Sequence, residues 1–226
     1  MKFDWILFDA DETLFRFDNF SGLKAMFSRL GIDFDHEDYA EYQALNQQLW
    51  IDYQDGKIDT ATLKHQRFSR WAEQLSLTTE ELNLRFLDAM ADISALLPGA
   101  QRLLESLYGR VRLGLITNGM IRLQSQRLEK HQVRHFFDHV VISEAVGKAK
   151  PDPAIFDYAY QQMGKPDKSK VLMVGDNVQS DILGGSRFGF MTCWLNPDQA
   201  AVPENIVVDY QIQHLSELHD MLSVSA

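Results

Sequence analysis

Cysteine is nearly absent. Cys193 is the only one in 226 residues, which excludes an internal disulfide and any multi-cysteine metal site. Lying in the apolar run Phe190 to Leu195, it reads as a buried apolar residue. Basic residues are also few: 22 Lys and Arg stand against 32 Asp and Glu, a formal charge of -10. That balance excludes the broad basic footprint of a protein that grips nucleic-acid polymers, and it repels anions in general. No long apolar run exists at the N-terminus. Trp5 to Phe8 is bounded by Asp4, Asp9 and Asp11, far too short for a bilayer span or the core of a signal peptide. A cytoplasmic protein in a reducing compartment, with no membrane partner, is therefore expected. Internal repeats, low-complexity tracts and long linkers are lacking. What remains is a globular composition, 45% apolar and 24% charged, on a chain long enough for a large core.

Short apolar runs recur along the chain: Phe3 to Phe8, Val111 to Ile116, Val140 to Ile142, Val171 to Val174, Phe190 to Leu195 and, more weakly, Val207 to Ile212. Continuous apolar runs fit strands buried on both faces of a parallel sheet. Helical patterns lie between them, beginning at Pro98 and covering Ile121 to Lys130, Pro153 to Gly164 and Gln179 to Phe188. The alternation predicts an α/β fold. Residues 15–95 differ, with no convincing strand. Leu23, Met26, Phe27 and Leu30 make one helical stripe, and Tyr42, Leu45, Leu49 and Tyr53 a second. Phe68, Trp71 and Leu75 make a third, and Leu82, Phe86, Met90 and Ile93 a fourth. Gly31, Asp55-Gly56 and Thr78-Thr79 punctuate them, so a small helical bundle is inserted after the first strand.

Polar signals follow four of the strands. They are Asp9-Ala10-Asp11-Glu12-Thr13, Thr117-Asn118-Gly119, the loop with Lys148 and Lys150-Pro151, and Gly175-Asp176 with Asp181. Ligands of open parallel sheets sit beyond the carboxyl ends of strands, so these segments converge on one crevice. Asp9 and Asp11, two apart, face the same side if the strand geometry persists. Like-charged carboxylates held close raise one another's pKa unless a cation intervenes. An acid set without His or Cys favours a hard cation, Mg²⁺ first, with Mn²⁺ or another divalent ion as a substitute. A lysine, and a Thr followed by backbone N–H groups, suit phosphate oxygens. A carboxylate also serves as a covalent nucleophile, giving an aspartyl-phosphate. Each piece alone is ordinary: a turn acid, a turn, a surface lysine. The weight lies in their conjunction and order.

In these four stretches the sequence resembles the haloacid dehalogenase (HAD) superfamily, most of whose members are Mg²⁺-dependent phosphatases. The first stretch matches its Asp-x-Asp-x-Thr motif, with Glu12 where the family most often has Gly. Thr117, Lys150 before Pro151, and Gly175-Asp176 with Asp181 match the other three. Lys150 is preferred to Lys148 because the family's lysine directly precedes proline. The family's dehalogenase branch lacks an acid at the position of Asp11. A leaving alkoxide needs a proton where halide does not, so Asp11 favours a phosphatase. The resemblance implies a Rossmann-like parallel-sheet core of residues 1–14 and 96–226, with an all-helical cap at 15–95. The stretches Phe8 to Phe15, Leu115 to Gly119, Val171 to Asp176, Ser180 to Gly185 and Cys193 to Asn196 narrow it to the bacterial pyrimidine 5'-nucleotidases. Trp50 and Asp52-Tyr53-Gln54 add to this in the cap.

The roles this resemblance implies are specific. Asp9 is the nucleophile, and Asp11 the acid that protonates the leaving oxygen and then the base for water. Mg²⁺ is held by Asp9, the main-chain carbonyl of Asp11, and Asp176. Asp181 orients a metal water or supports Lys150. Thr117 and Asn118, with nearby N–H groups, hold the phosphoryl oxygens that Lys150 neutralises. The substrate is a small phosphate ester, a (deoxy)pyrimidine nucleoside 5'-monophosphate. A phosphosugar phosphatase or phosphomutase uses the same core, and a receiver-like signalling module is a remote alternative. Monomer and weak dimer both stay open.

Other signals carry less. His131, His135 and His139 lack a zinc-binding pattern. Asp33, Asp35, Glu37 and Asp38 read as a solvated loop and helix start. Phe15, Phe17 and Phe20 either stack on a base or pack the cap hinge. The acidity divides usefully. The cap has 8 basic and 14 acidic residues and the core 14 and 18, so the core's excess equals the four motif acids, which a cation and Lys150 would offset.

Overall fold

Six short segments pair into one parallel sheet in the order β3-β2-β1-β4-β5-β6. They are β1 (Trp5–Phe8), β2 (Arg112–Thr117), β3 (His139–Ile142), β4 (Val171–Gly175), β5 (Met191–Leu195) and β6 (Tyr210–Ile212). The structure, a computed structural model, describes residues 2–223; residues 1 and 224–226 of the expected core lie outside the described residues. Strands β1 and β4 are buried at every position. Their continuous apolar character follows from having helices on both faces. Ile6 and Phe8 point to one side, with Leu113, Leu115, Leu172, Val174 and Cys193. There they meet α6 (Ala100–Leu107) and α11 (Leu215–Ser223) through Leu103, Leu104, Leu107, Leu215 and Leu218. Trp5 and Leu7 point to the other side, with Ile116, Val141 and Met173, under Ile155 and Phe156 of α9 (Pro153–Gln162). Each such side chain contributes about 1.5–3 kcal/mol on burial. The expected α/β class is what the structure shows.

The chain divides into two units. The first comprises residues 1–16, 95–120 and 128–226 and holds the whole sheet. The second comprises 17–94 and 121–127. It contains α1 (Asn19–Ser28), α2 (His36–Gln54), α3 (Thr60–Gln66), α4 (Ser69–Leu75) and α5 (Thr79–Ile93). Two of its helix starts are ones the sequence signalled: Asp35 and Thr78 each form a capping box, with Asp38 and Glu81, whereas the Asp18 and Asp59 caps of α1 and α3 were not. Phe27 stacks on Phe34 at 4.7 Å, and Trp71, Tyr42, Phe68 and Phe86 continue that aromatic core. One member of each of two expected stripes falls outside it: Leu45 and Ile93 are exposed. Residues 121–127 open α7 (Ile121–Lys130) and were expected in the core, yet they group with the helices. Asp88 of α5 explains this. Its carboxylate accepts from Arg122 at 2.7 and 3.0 Å and from Gln126 at 2.8 Å.

The largest departures from the expected element boundaries are two. Strand β6 starts at Tyr210 rather than Val207, which is 66% exposed. Just before it, the Asp209 carboxylate bonds Thr192 of β5 at its N–H (2.9 Å) and its hydroxyl (3.1 Å). The helix expected from Gln179 is a wide π-turn, Val178–Ile182, followed by α10 (Leu183–Phe188).

Candidate active site

Every residue expected in the site lies in the first unit. Asp9 directly follows β1, and its N–H still bonds Val174 O of β4 at 2.8 Å. Phe8 pairs with Leu115 of β2 on one side and Val174 of β4 on the other, so Asp9 leaves the sheet at its centre. Strand order reverses between β1 and β4, the crevice position where open α/β sheets place ligands. Thr117 ends β2, is buried, and accepts from Gly119 N at 3.1 Å.

Lys150 enters from the loop after α8 (Ser143–Val146) and is 1% exposed, far from a surface lysine. Its ammonium lies 2.6 Å from Asp9 Oδ1, 2.6 Å from Asp181 Oδ1 and 2.8 Å from Ile116 O. An ammonium has three N–H donors, and these partners take all three. Lys148, by contrast, is exposed beside Asp152. Asp181 is fully buried on the π-turn, where its Oδ2 accepts from Asn177 N at 3.1 Å and its Oδ1 from Ser180 Oγ at 3.1 Å. Gly175 makes room for it: a Cβ there would stand 2.2 Å from Asp181 Oδ2.

Asp176 is fixed from three directions. Its N–H donates to Thr13 Oγ1 (3.1 Å), whose hydroxyl donates back to Asp176 Oδ1 (3.2 Å). Trp194 Nε1 donates to the Asp176 carbonyl at 2.7 Å. Asn177 caps the turn that follows, accepting from Gln179 N and Ser180 N. The sequence reading gave Thr13, Asn177, Gly175 and Trp194 no role. Trp194 was detectable as an indole donor near the carboxyl end of a buried strand neighbouring β4.

Asn118 stands differently from the phosphate contact expected of it. Its Nδ2 donates to Lys150 O at 2.9 Å, and its Oδ1 accepts from Lys150 N at 2.7 Å. Asp11 is half-buried, with its main chain bridged to Phe15.

Carboxylate oxygens of Asp9, Asp176 and Asp181 lie within 4.8 Å of one another. Burial is the main cause that pushes Asp9 up to about 7; Lys150 opposes it, while Asp181 and Asp11 add to it. Burial likewise pushes Asp176 up to about 8, helped by Asp181 and Asp9. Burial alone would lower Lys150, but the carboxylates of Asp181 and Asp9 outweigh it and raise it, so it stays charged. With all three acids ionised, one ammonium would leave two negative charges uncompensated, so the acids retain protons unless a cation takes their place. Such an all-oxygen donor set fits a hard divalent cation. The tight group contains Asp181, which was expected only in a supporting place, and it lacks the Asp11 carboxylate. Asp9 and Asp176, both expected as cation ligands, lie together in it.

Residues 3–189 match the family model for haloacid dehalogenase-like hydrolases. The chain belongs to this family. It is 51% identical over 222 residues to pyrimidine 5'-nucleotidase YjjG of Escherichia coli (strain K12), covering 98% of this chain and 99% of that protein. It is 32% identical over 228 residues to pyrimidine 5'-nucleotidase PynA of Streptococcus pneumoniae (strain ATCC BAA-255 / R6), covering 98% and 96%. Among solved structures, YfnB of Bacillus subtilis bound to magnesium superposes with a TM-score of 0.84 at 28% identity, covering 97% of this hydrolase and 98% of that chain. No helix among the described residues of the hydrolase is long and apolar enough to cross a membrane.

Proposed function

We propose that this hydrolase is a Mg²⁺-dependent phosphatase that removes the 5'-phosphate of (deoxy)pyrimidine nucleoside monophosphates. The observation that carries the reading is the buried Asp9 carboxylate. It is held at one oxygen by Lys150, with the acid Asp11 two residues on and Asp176 and Asp181 beside it. The nucleotide substrate is supported by the two nucleotidase relatives. The resident ion is supported by the all-oxygen acid cluster and by the magnesium-bound relative.

Asp9 attacks the phosphorus and displaces the 5'-oxygen, forming an aspartyl-phosphate. Asp11 gives that oxygen its proton, then takes one from the water that opens the acyl phosphate. Lys150 keeps Asp9 oriented through Oδ1, and its charge favours the extra negative charge brought by the phosphate. A direct N–H bond from Lys150 to the substrate would require giving up one of its three present partners. Thr117 and the main-chain N–H of Asn118 receive the phosphoryl oxygens, while the Gly119 N–H steadies Thr117 Oγ1. Asp9 and Asp176 would hold Mg²⁺ with the main-chain carbonyl of Asp11, while Asp181 braces Lys150. When bound, the ion offsets the acids and lets an anionic nucleophile meet an anionic phosphate. Hydrolysis of phosphate monoesters is slow enough to need up to ~10²¹-fold acceleration, most of it from positioning and electrostatics. We take the enzyme to act in the cytoplasm, in keeping with its single buried thiol.

The test is phosphate release from a panel of pyrimidine and purine monophosphates and sugar phosphates with Mg²⁺. Preference for pyrimidine monophosphates is expected. Preference for sugar phosphates would replace the substrate and leave the phosphatase standing; no release from any substrate would remove both.

A further inference from the structure

Lysine is a flexible four-carbon stem, so placing its ammonium between two carboxylates requires anchoring at both ends. The ammonium end is held by Asp9, Asp181 and Ile116 O. The main-chain end is held by one side chain: Asn118 Nδ2 donates to Lys150 O (2.9 Å) and Asn118 Oδ1 accepts from Lys150 N (2.7 Å). This two-point bond satisfies both main-chain polar groups of a residue that is 1% exposed and lies on the loop between α8 and α9, outside the strands. Ile116 and Asn118 flank Thr117, so the exit of β2 grips Lys150 at both ends and carries a third site residue between the grips.

We propose that Asn118 is a positioning residue for Lys150: its amide clamps the Lys150 main chain and thereby fixes the ammonium against Asp9 and Asp181. The consequence for rate rests on the phosphatase reading above; the clamp itself does not. It also distinguishes two uses of the same side chain. A residue that binds the substrate phosphate contributes to ground-state affinity, whereas one that aims a catalytic group acts on the chemical step.

Two measurements decide it. In Asn118→Ala, kcat for whichever phosphomonoester the wild type hydrolyses should fall on the order of 10–100-fold, the loss expected from slight misplacement of a catalytic group. KM should stay within about twofold. Hydrogen exchange at the Lys150 amide should accelerate at least about tenfold while strand amides of β1 and β4 keep their protection. Asn118→Asp, which keeps an oxygen for the Lys150 N–H, should retain that protection, and it serves if the alanine variant does not fold. A raised KM with unchanged kcat would put the remaining Asn118 N–H on the substrate and overturn the proposal. Unchanged exchange at Lys150 in Asn118→Ala, or lost protection in Asn118→Asp when only that variant folds, would overturn it as well. If the wild type releases no phosphate from any substrate, the phosphatase reading fails, and the exchange result alone decides the clamp.

Discussion

Gly175→Ala perturbs the site by a single methyl group, and the structure sets its size. A Cβ on residue 175 would lie 2.2 Å from Asp181 Oδ2, 2.5 Å from its Cγ and 2.6 Å from its Cβ. Ordinary contacts between such atoms are about 3.5–4.0 Å. Asp181 has nowhere to retreat: it is fully buried and tied to Lys150 Nζ at 2.6 Å, Asn177 N at 3.1 Å and Ser180 Oγ at 3.1 Å. Forcing a methyl into a packed core costs ~1–3 kcal/mol. Parting Lys150 from Asp181 adds up to ~3–5 kcal/mol, since a buried charge loses a partner. A net loss of about 3 kcal/mol is the expected outcome, and in a chain this long it lowers Tm by ~6–12 °C. The assay is a thermal melt with kcat measured alongside, because the displaced carboxylate also releases Lys150. Asp181→Gly removes the obstruction, so adding Gly175→Ala to that variant should lower Tm no further. A Gly175→Ala protein melting within about 2 °C of wild type would refute the close-approach argument. An equal extra loss in the Asp181→Gly background would refute it too.

Two further outcomes follow from the buried ionisable groups. In the metal-free fold Asp9 and Asp176 rise to about 7 and about 8, against an unfolded value near ~3.9, so their contribution to stability is present at low pH and lost as pH rises through 7–8. Mg²⁺ must displace those protons, so its effect on Tm should be negligible near pH 5 and grow through that window; a pH-independent effect would contradict the cluster as the binding site. Burial, with a smaller push from Glu217, raises the Cys193 thiol to about 12, so a thiol reagent should leave the folded protein unmodified and react on unfolding. Rapid labelling of the folded chain would contradict this.

Much of this fold is legible in the sequence because its cause is local. β1 and β4 are continuous apolar runs, and Asp35 and Thr78 announce helix starts through their own side chains. Where the cause is a distant partner, legibility ends. The π-turn at Val178–Ile182 bears the carboxylate that reaches Lys150; the family resemblance offered that contact as one of two roles for Asp181, but the wide turn that delivers it is invisible from spacing. Residues 121–127 join the helical unit where Arg122 and Gln126 meet Asp88, more than thirty positions away. The acids of the site were readable as motifs. The Thr13–Asp176 bond, spanning 163 positions, and the Asn118–Lys150 bonds were not, because a motif names residues without saying which of their atoms are engaged. Lys150 illustrates the difference: its place in the site was expected, but not that all three of its donors face protein oxygens.

The central claim is that Asp9 is the nucleophile, and Asp9→Asn tests it most directly. The amide keeps the shape of the side chain and an oxygen for Lys150 but lacks the anionic oxygen that forms the aspartyl-phosphate. Measured with Mg²⁺ on the best wild-type substrate, this variant should release no phosphate while melting as a folded protein. Phosphate release at a rate comparable to wild type would contradict the account.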